Sequence, residues 1–179
     1  YPDAYEVGQP NLGISILYDA LNGADGISCE RCYLPWHDMA DLMRERHVPL
    51  LALESAAPLA SFDLVGFTLA HELVATNIME TLDLAGIPVR AADRAEDDAI
   101  VIAGGPSVWN AEPLAPMFDA ILLGDGEDAI VEIAACVRDA RSVGASRENI
   151  LLALSRIQGV YVPSLYDVVV DSTSTRWGY

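Results

Sequence analysis

Four stretches of this 179-residue chain read as the junction of a strand with a glycine-containing turn. They are Asp3-Ala4-Tyr5-Glu6-Val7-Gly8, Val65-Gly66-Phe67-Thr68-Leu69, Ile100-Val101-Ile102-Ala103-Gly104-Gly105-Pro106 and Ile121-Leu122-Leu123-Gly124-Asp125-Gly126-Glu127. Ile100 to Ala103 and Ala120 to Leu123 are apolar at every position, and Asp63 to Leu69 alternates little. Strands written this way are covered on both faces, as in a parallel sheet flanked by helices. In such open sheets the ligand crevice lies outside the carboxyl ends of the strands, and glycine there lets the backbone come close to a ligand. The turns therefore predict a sheet and a binding rim along one of its edges.

Between the strands, apolar residues recur at helical spacing. Leu12 to Leu21 carries Ile16, Leu17, Ala20 and Leu21 on one side and ends at Asn22-Gly23. Asp38 is placed to cap a short helix with a narrow stripe of Met39, Leu42, Met43 and Arg46. Leu73 to Leu84 sets Val74, Ile78, Leu82 and Ala85 in register, with Gly86 as its stop. Glu127 to Ala140 turns Ile130, Ile133, Ala134 and Val137 inward, and Ser146 caps a last helix reaching Ile157. Further extended pieces are predicted at Ile27 to Leu34, Leu50 to Leu53 and Pro88 to Ala91, with a β-rich tail at Tyr166 to Val170. Strands alternating with helices give an α/β doubly wound fold. The expected division is one domain over 1–165 and a tail over 166–179.

The net charge of −17 argues against binding nucleic acid or an anionic membrane surface. No apolar run approaches the ~20 residues that span a bilayer, and three cysteines make no disulfide framework, so a cytoplasmic location is expected. All ten cationic side chains are arginine, which removes any Schiff-base or phosphate-binding lysine. The chain opens at Tyr1, at what reads as a strand-to-loop junction. The expectation is a piece of a longer polypeptide whose first strand lies largely upstream of Tyr1.

Taken in order, the turns resemble a known family. Cobalamin-binding domains of the flavodoxin-like type carry Asp-x-His-x-x-Gly after the first strand, Ser-x-Leu after the third and Gly-Gly after the fourth. Here Asp3-Ala4-Tyr5-Glu6-Val7-Gly8, Thr68-Leu69-Ala70 and Gly104-Gly105 stand in that order. Together with Tyr1-Pro2-Asp3, Asn11-Leu12-Gly13 and Gly124-Asp125-Gly126-Glu127, they are similar to the N-terminal, cobalamin-binding-like domain of a family of radical SAM proteins, across nearly the whole chain. The resemblance implies a flavodoxin-like (Rossmann-like) three-layer sandwich with a mostly parallel five-stranded sheet. It implies a downstream radical SAM domain in the same polypeptide, with S-adenosylmethionine and a 4Fe–4S cluster belonging to that parent. The rim residues it implies are Asp3, Tyr5, Gly8, Thr68, Gly104, Gly105, Gly124 and Glu127.

The departures are chemical. The position of the histidine that ligates cobalt is Tyr5, and a phenol must first lose a proton whose ordinary pKa is about 10. The implied role is then to hold a base-off cobalamin, or a substrate, against a catalytic barrel. The alternative is a cofactor-free module that packs on that barrel. The cluster pattern Cys-x-x-x-Cys-x-x-Cys is absent, and Cys29 and Cys32, three apart on an extended segment, point to opposite faces. Among the histidines, His71 beside Glu72 follows the third strand. His47 suits a helix C-terminus, where a cation is favoured, and His37 precedes the capping Asp38. A free-standing hydrolase built on His71 lacks a nucleophile–base pair. Asp125, Glu127 and Asp128 crowd a helix start, where they suit capping or hydrogen bonds to corrin amides and repel a phosphate.

Overall fold

The computed structural model describes residues 1–167. Its sheet has the order β1 (Leu64–Thr68), β2 (Ile100–Gly104), β3 (Ala120–Leu122), β4 (Val160–Tyr161). The first three strands run parallel, with Leu64 opposite Ile100 and Ile102 opposite Ala120, and β4 pairs antiparallel to β3. The fully apolar runs account for the burial: every residue of β3, and all of β2 except Gly104, is buried.

Period-two alternation sorts these side chains into two cores. Val65, Phe67, Val101, Ala103 and Ile121 pack with Val74, Ile78 and Leu82 around α4 (Ala75–Ala85). Ile100, Ile102, Ala120 and Leu122 pack with Ile133 and Val137 of α5 (Ala129–Ser142) and Ile150 and Leu154 of α6 (Arg147–Leu154). Helices thus cover both faces. α3 (His37–Arg46) lies beside α4, and α2 (Leu12–Asn22) beside α5. A single turn, α1 (Tyr5–Gly8), precedes α2.

The helix signals land within a residue or two, except that the last helix ends at Leu154, three residues short of Ile157. Asn11 caps α2 by accepting from the Ile14 N–H, Gly86 stops α4 at φ 71°, and Ser146 accepts from the Asn149 N–H. Two caps differ. α3 starts at His37, so Asp38 falls inside the first turn, and no side-chain cap holds the start of α5, leaving its carboxylates to act through the helix dipole.

Three predicted strands do not form. Ile27 to Leu34 joins no ladder, and side chains meet part of its backbone: Asn22 Oδ1 accepts from the Cys29 N–H (3.0 Å) and Glu54 Oε2 from the Arg31 N–H (2.7 Å). Leu50 to Leu53 makes one bridge, Leu51 to Pro58, and Pro88 to Ala91 leads into a 3₁₀ turn at Ala91–Asp93. Of the predicted tail, Tyr166 and Asp167 are not in a strand, and positions 168–170 lie outside the described residues.

At the amino ends of the strands sits a buried ionic cluster. Asp119 Oδ2 accepts from Arg94 Nη1 (2.7 Å), Arg147 Nη2 (2.7 Å) and the Val101 N–H (2.8 Å). The arginines complete their bonding on backbone carbonyls, Arg94 on Met117 and Arg147 on Asp98 and Ala99.

Candidate functional site at the strand ends

The loops leaving β1, β2 and β3 meet at one edge of the sheet. β1 ends at Thr68, and the Leu69 N–H donates to the Gly104 carbonyl (2.7 Å). The chain then reverses at Gly105, φ 106°, where the Ser107 N–H returns to the Leu69 carbonyl (3.0 Å). A Cβ on Gly105 would sit 3.0 Å from that carbonyl oxygen and 3.3 Å from Thr68 Cγ2. After β3, Gly124 takes φ 133° with open space around it, and Gly126 packs on Leu17 of α2.

These turns form the mouth of a cavity of about 950 Å³. Thr68, Gly104, Gly105, Gly124 and Glu127 line it together. The remaining predicted rim residues lie elsewhere. Asp3 Oδ1 accepts from the Ala4 N–H, turning the backbone into α1. Tyr5 is half exposed and meets Tyr33 edge to face, centroids 5.3 Å apart, in a separate shallow depression with Trp36 and Met39. Gly8 is a packing glycine, because a Cβ there would fall 2.6 Å from the Tyr33 ring.

Sequence spacing missed the opposite wall. Ile14, Leu17, Tyr18 and Leu21 of α2, with Tyr33, face the cavity, and Tyr33 Oη is buried without a partner among the described residues. The legible signal was the apolar stripe of α2, a helix none of whose residues is fully buried. None of His37, His47 and His71 lines the cavity, and Trp109 does so while remaining largely exposed.

The cysteines are poor ligands as placed. Burial, reinforced at Cys29 by Glu54 and Glu30, pushes the Cys29 and Cys32 thiols up to about 11. Among the described residues no three His, Cys, Asp or Glu side chains gather to hold a metal. In the folded chain these thiols keep their protons until pH approaches 11, whereas an unfolded thiol releases its proton near 9. Their contribution to stability is therefore complete below about 9 and falls between 9 and 11. Iodoacetamide at pH 7.5 is expected to alkylate both much more slowly in the folded than in the urea-unfolded chain; equal rates would contradict the burial.

Among the described residues no helix is long and apolar enough to cross a membrane. No curated protein and no solved structure matches the chain. A family model described as the N-terminal region of radical SAM proteins matches residues 13–163, most of the chain. With its parallel strands ending in a shared glycine rim, the chain belongs to this family of radical SAM N-terminal domains.

Proposed function

We propose that this accessory domain holds a base-off corrin, or a substrate, at its glycine rim against the downstream catalytic barrel. Family membership implies a linked radical SAM domain, with S-adenosylmethionine and a 4Fe–4S cluster in the parent protein. The observation that carries the proposal is the convergence of Thr68, Gly104, Gly105, Gly124 and Glu127 on one cavity mouth, two of them glycines at positive φ. Ligand crevices of open α/β sheets lie at this edge. The proposal includes the flavodoxin-like, five-stranded form of the sheet, a domain spanning 1–165 with a tail over 166–179, and a cytoplasmic location.

The residues present fit a corrin held by backbone approach and by hydrogen bonds from its amides to Glu127, and do not fit one ligated by histidine. No histidine lines the cavity, and Tyr5 packs on Tyr33 away from it. A bound corrin would supply organometallic chemistry. This domain's own part is to place it, through Gly105 and Gly124, where a Cβ would otherwise intrude or strain the turn.

Titration of the parent protein with hydroxocobalamin tests this. Saturable binding with a base-off spectrum is expected, and Tyr5→His is expected to leave that spectrum base-off because position 5 lies outside the cavity lining. A shift to nitrogen ligation in Tyr5→His would put position 5 within reach of the cobalt after all. A second reading is favoured by Tyr5 itself, whose ring is engaged with Tyr33 at an interplanar angle of 82°. In that reading the domain binds no cofactor and packs on the barrel, and an absence of saturable binding selects it.

A further inference from the structure

The depression beside Tyr5 has the composition of a cation site. Tyr5, Tyr33 and Trp36 line it together with Met39, Leu51 and Leu53, around a volume of about 490 Å³. That volume falls within the roughly 300–1,000 Å³ of small-molecule sites. Tyr5 stays 49% exposed and Trp36 62%, so neither ring serves the core. The Tyr5 and Tyr33 planes stand at 82° and make a corner, to which Trp36 adds a third wall. Glu6 and Asp38 are the charged side chains of the lining, and neither joins an ion pair among the described residues. Asp38 commits Oδ1 to the Met39 N–H (2.9 Å), which leaves its second oxygen uncommitted. No arginine among the described residues lines the depression. The nearest in sequence, Arg31, is held by Glu54 at 2.8 Å and lies over the Tyr18 ring at 4.9 Å.

These walls come from three separate segments that the backbone stitches together. The Leu34 N–H donates to the Asp3 carbonyl (3.0 Å), and the Leu53 N–H donates to the Arg31 carbonyl (2.7 Å). Gly8 leaves the space that the Tyr33 ring fills, and the Trp36 carbonyl accepts from the Ala40 N–H (2.9 Å) at the start of α3. A site assembled in advance loses less conformational freedom on binding.

We propose that this depression binds a methylated ammonium group, its positive centre against the Tyr5, Tyr33 and Trp36 rings and its charge balanced by Glu6 and Asp38. A neutral apolar occupant would desolvate both carboxylates without a counter-charge. A primary ammonium would bring three N–H donors, each needing an acceptor. Methyl groups replace those donors with apolar surface, which the rings, Met39, Leu51 and Leu53 can cover. The net charge of −17 draws cations towards the chain in general. Choline-like small molecules and the methylated lysine of a peptide present this same cation. None of Thr68, Gly104, Gly105, Gly124 and Glu127 lines the depression, so the site stands apart from the corrin reading.

Isothermal titration of the full-length protein with choline, and with the neutral tert-butyl analogue in which carbon replaces its nitrogen, tests the site. Choline is expected to saturate and the neutral analogue to bind roughly tenfold more weakly. Trp36→Ala and Tyr5→Ala should each lose roughly tenfold in choline affinity, whereas Tyr5→Phe, which keeps the ring, should stay within about twofold. Glu6→Gln combined with Asp38→Asn should weaken choline and leave the neutral analogue unchanged. An unchanged urea midpoint shows that these variants, altered at exposed side chains, remain folded. Equal binding of choline and its neutral analogue would overturn the proposal. So would an absence of saturable choline binding, or a choline affinity unaltered in folded Trp36→Ala. A peptide bearing trimethyllysine separates the two sources. Binding roughly tenfold tighter than choline assigns the cation to a protein side chain, and equal or weaker binding assigns it to a free small molecule.

Discussion

Asp119→Ala is expected to destabilise the domain by about 3–5 kcal/mol, the range for breaking a buried ion pair from one side. One carboxylate oxygen serves two guanidinium groups and a backbone amide, all within 2.8 Å. The side chain of Arg94 is fully buried and that of Arg147 nearly so. Burial pushes the Arg94 guanidinium below its ordinary pKa while Asp119 pulls it back. Arginine does not discharge near neutral pH, so the alanine variant keeps two buried cations with no counter-charge and adds an unpaired Val101 N–H. Asp119→Asn retains an acceptor and loses only the charge, so its loss should be intermediate. Urea unfolding followed by circular dichroism would show this as a lower midpoint at an unchanged slope. A cost below about 1 kcal/mol for the alanine variant would mean that water or relaxation compensates the arginines.

Gly105→Ala is expected to cost about 3 kcal/mol, from two causes that a second variant separates. At φ 106° and ψ −179° the residue occupies a region that is essentially glycine's alone, with a strain of about 1–3 kcal/mol for any other. The added Cβ would also press within 3.0 Å of the Leu69 carbonyl oxygen and 3.2 Å of its nitrogen. That nitrogen and oxygen latch β1 to β2 through Gly104 and Ser107, so the backbone yields only by breaking the latch. Gly124 shares the positive φ, at 133°, but has nothing within 4 Å of its absent Cβ. Gly124→Ala should therefore show the conformational cost alone, about 1–2 kcal/mol. Equal losses in the two variants, measured by thermal or urea melts, would remove crowding at Leu69 from the account.

The central strands were readable because burial on both faces leaves an apolar residue at every position, which few other local structures require. Ile100 to Ala103 and Ala120 to Leu123 show it directly, and β2 and β3 fall there. The Ile27 to Leu34 segment has the same propensity without the outcome, because a ladder needs a neighbour and propensity cannot supply one. The meeting of Thr68, Gly104 and Gly124 was legible from topology: the first two end adjacent parallel strands and Gly124 lies two residues past the end of the next. Tyr5 and Gly8 depend on how a short turn packs against Tyr33, a contact set by side-chain volume and invisible to spacing. Asp119 was missed for another reason. Its partners lie 25 and 28 residues away, one before its strand and one after the following helix, and no periodicity joins them.

The ionic cluster and the glycine rim occupy opposite ends of the same strands. β1 and β2 have five residues each, so at about 3.3 Å per residue their first and last residues lie about 13 Å apart. Perturbations separated by more than about 10 Å and sharing no partner usually add independently. The end that secures the fold is thus insulated from the end proposed to hold a ligand. Substitutions at open rim positions such as Gly124 should therefore add to, and not amplify, the cost of changes in the ionic cluster.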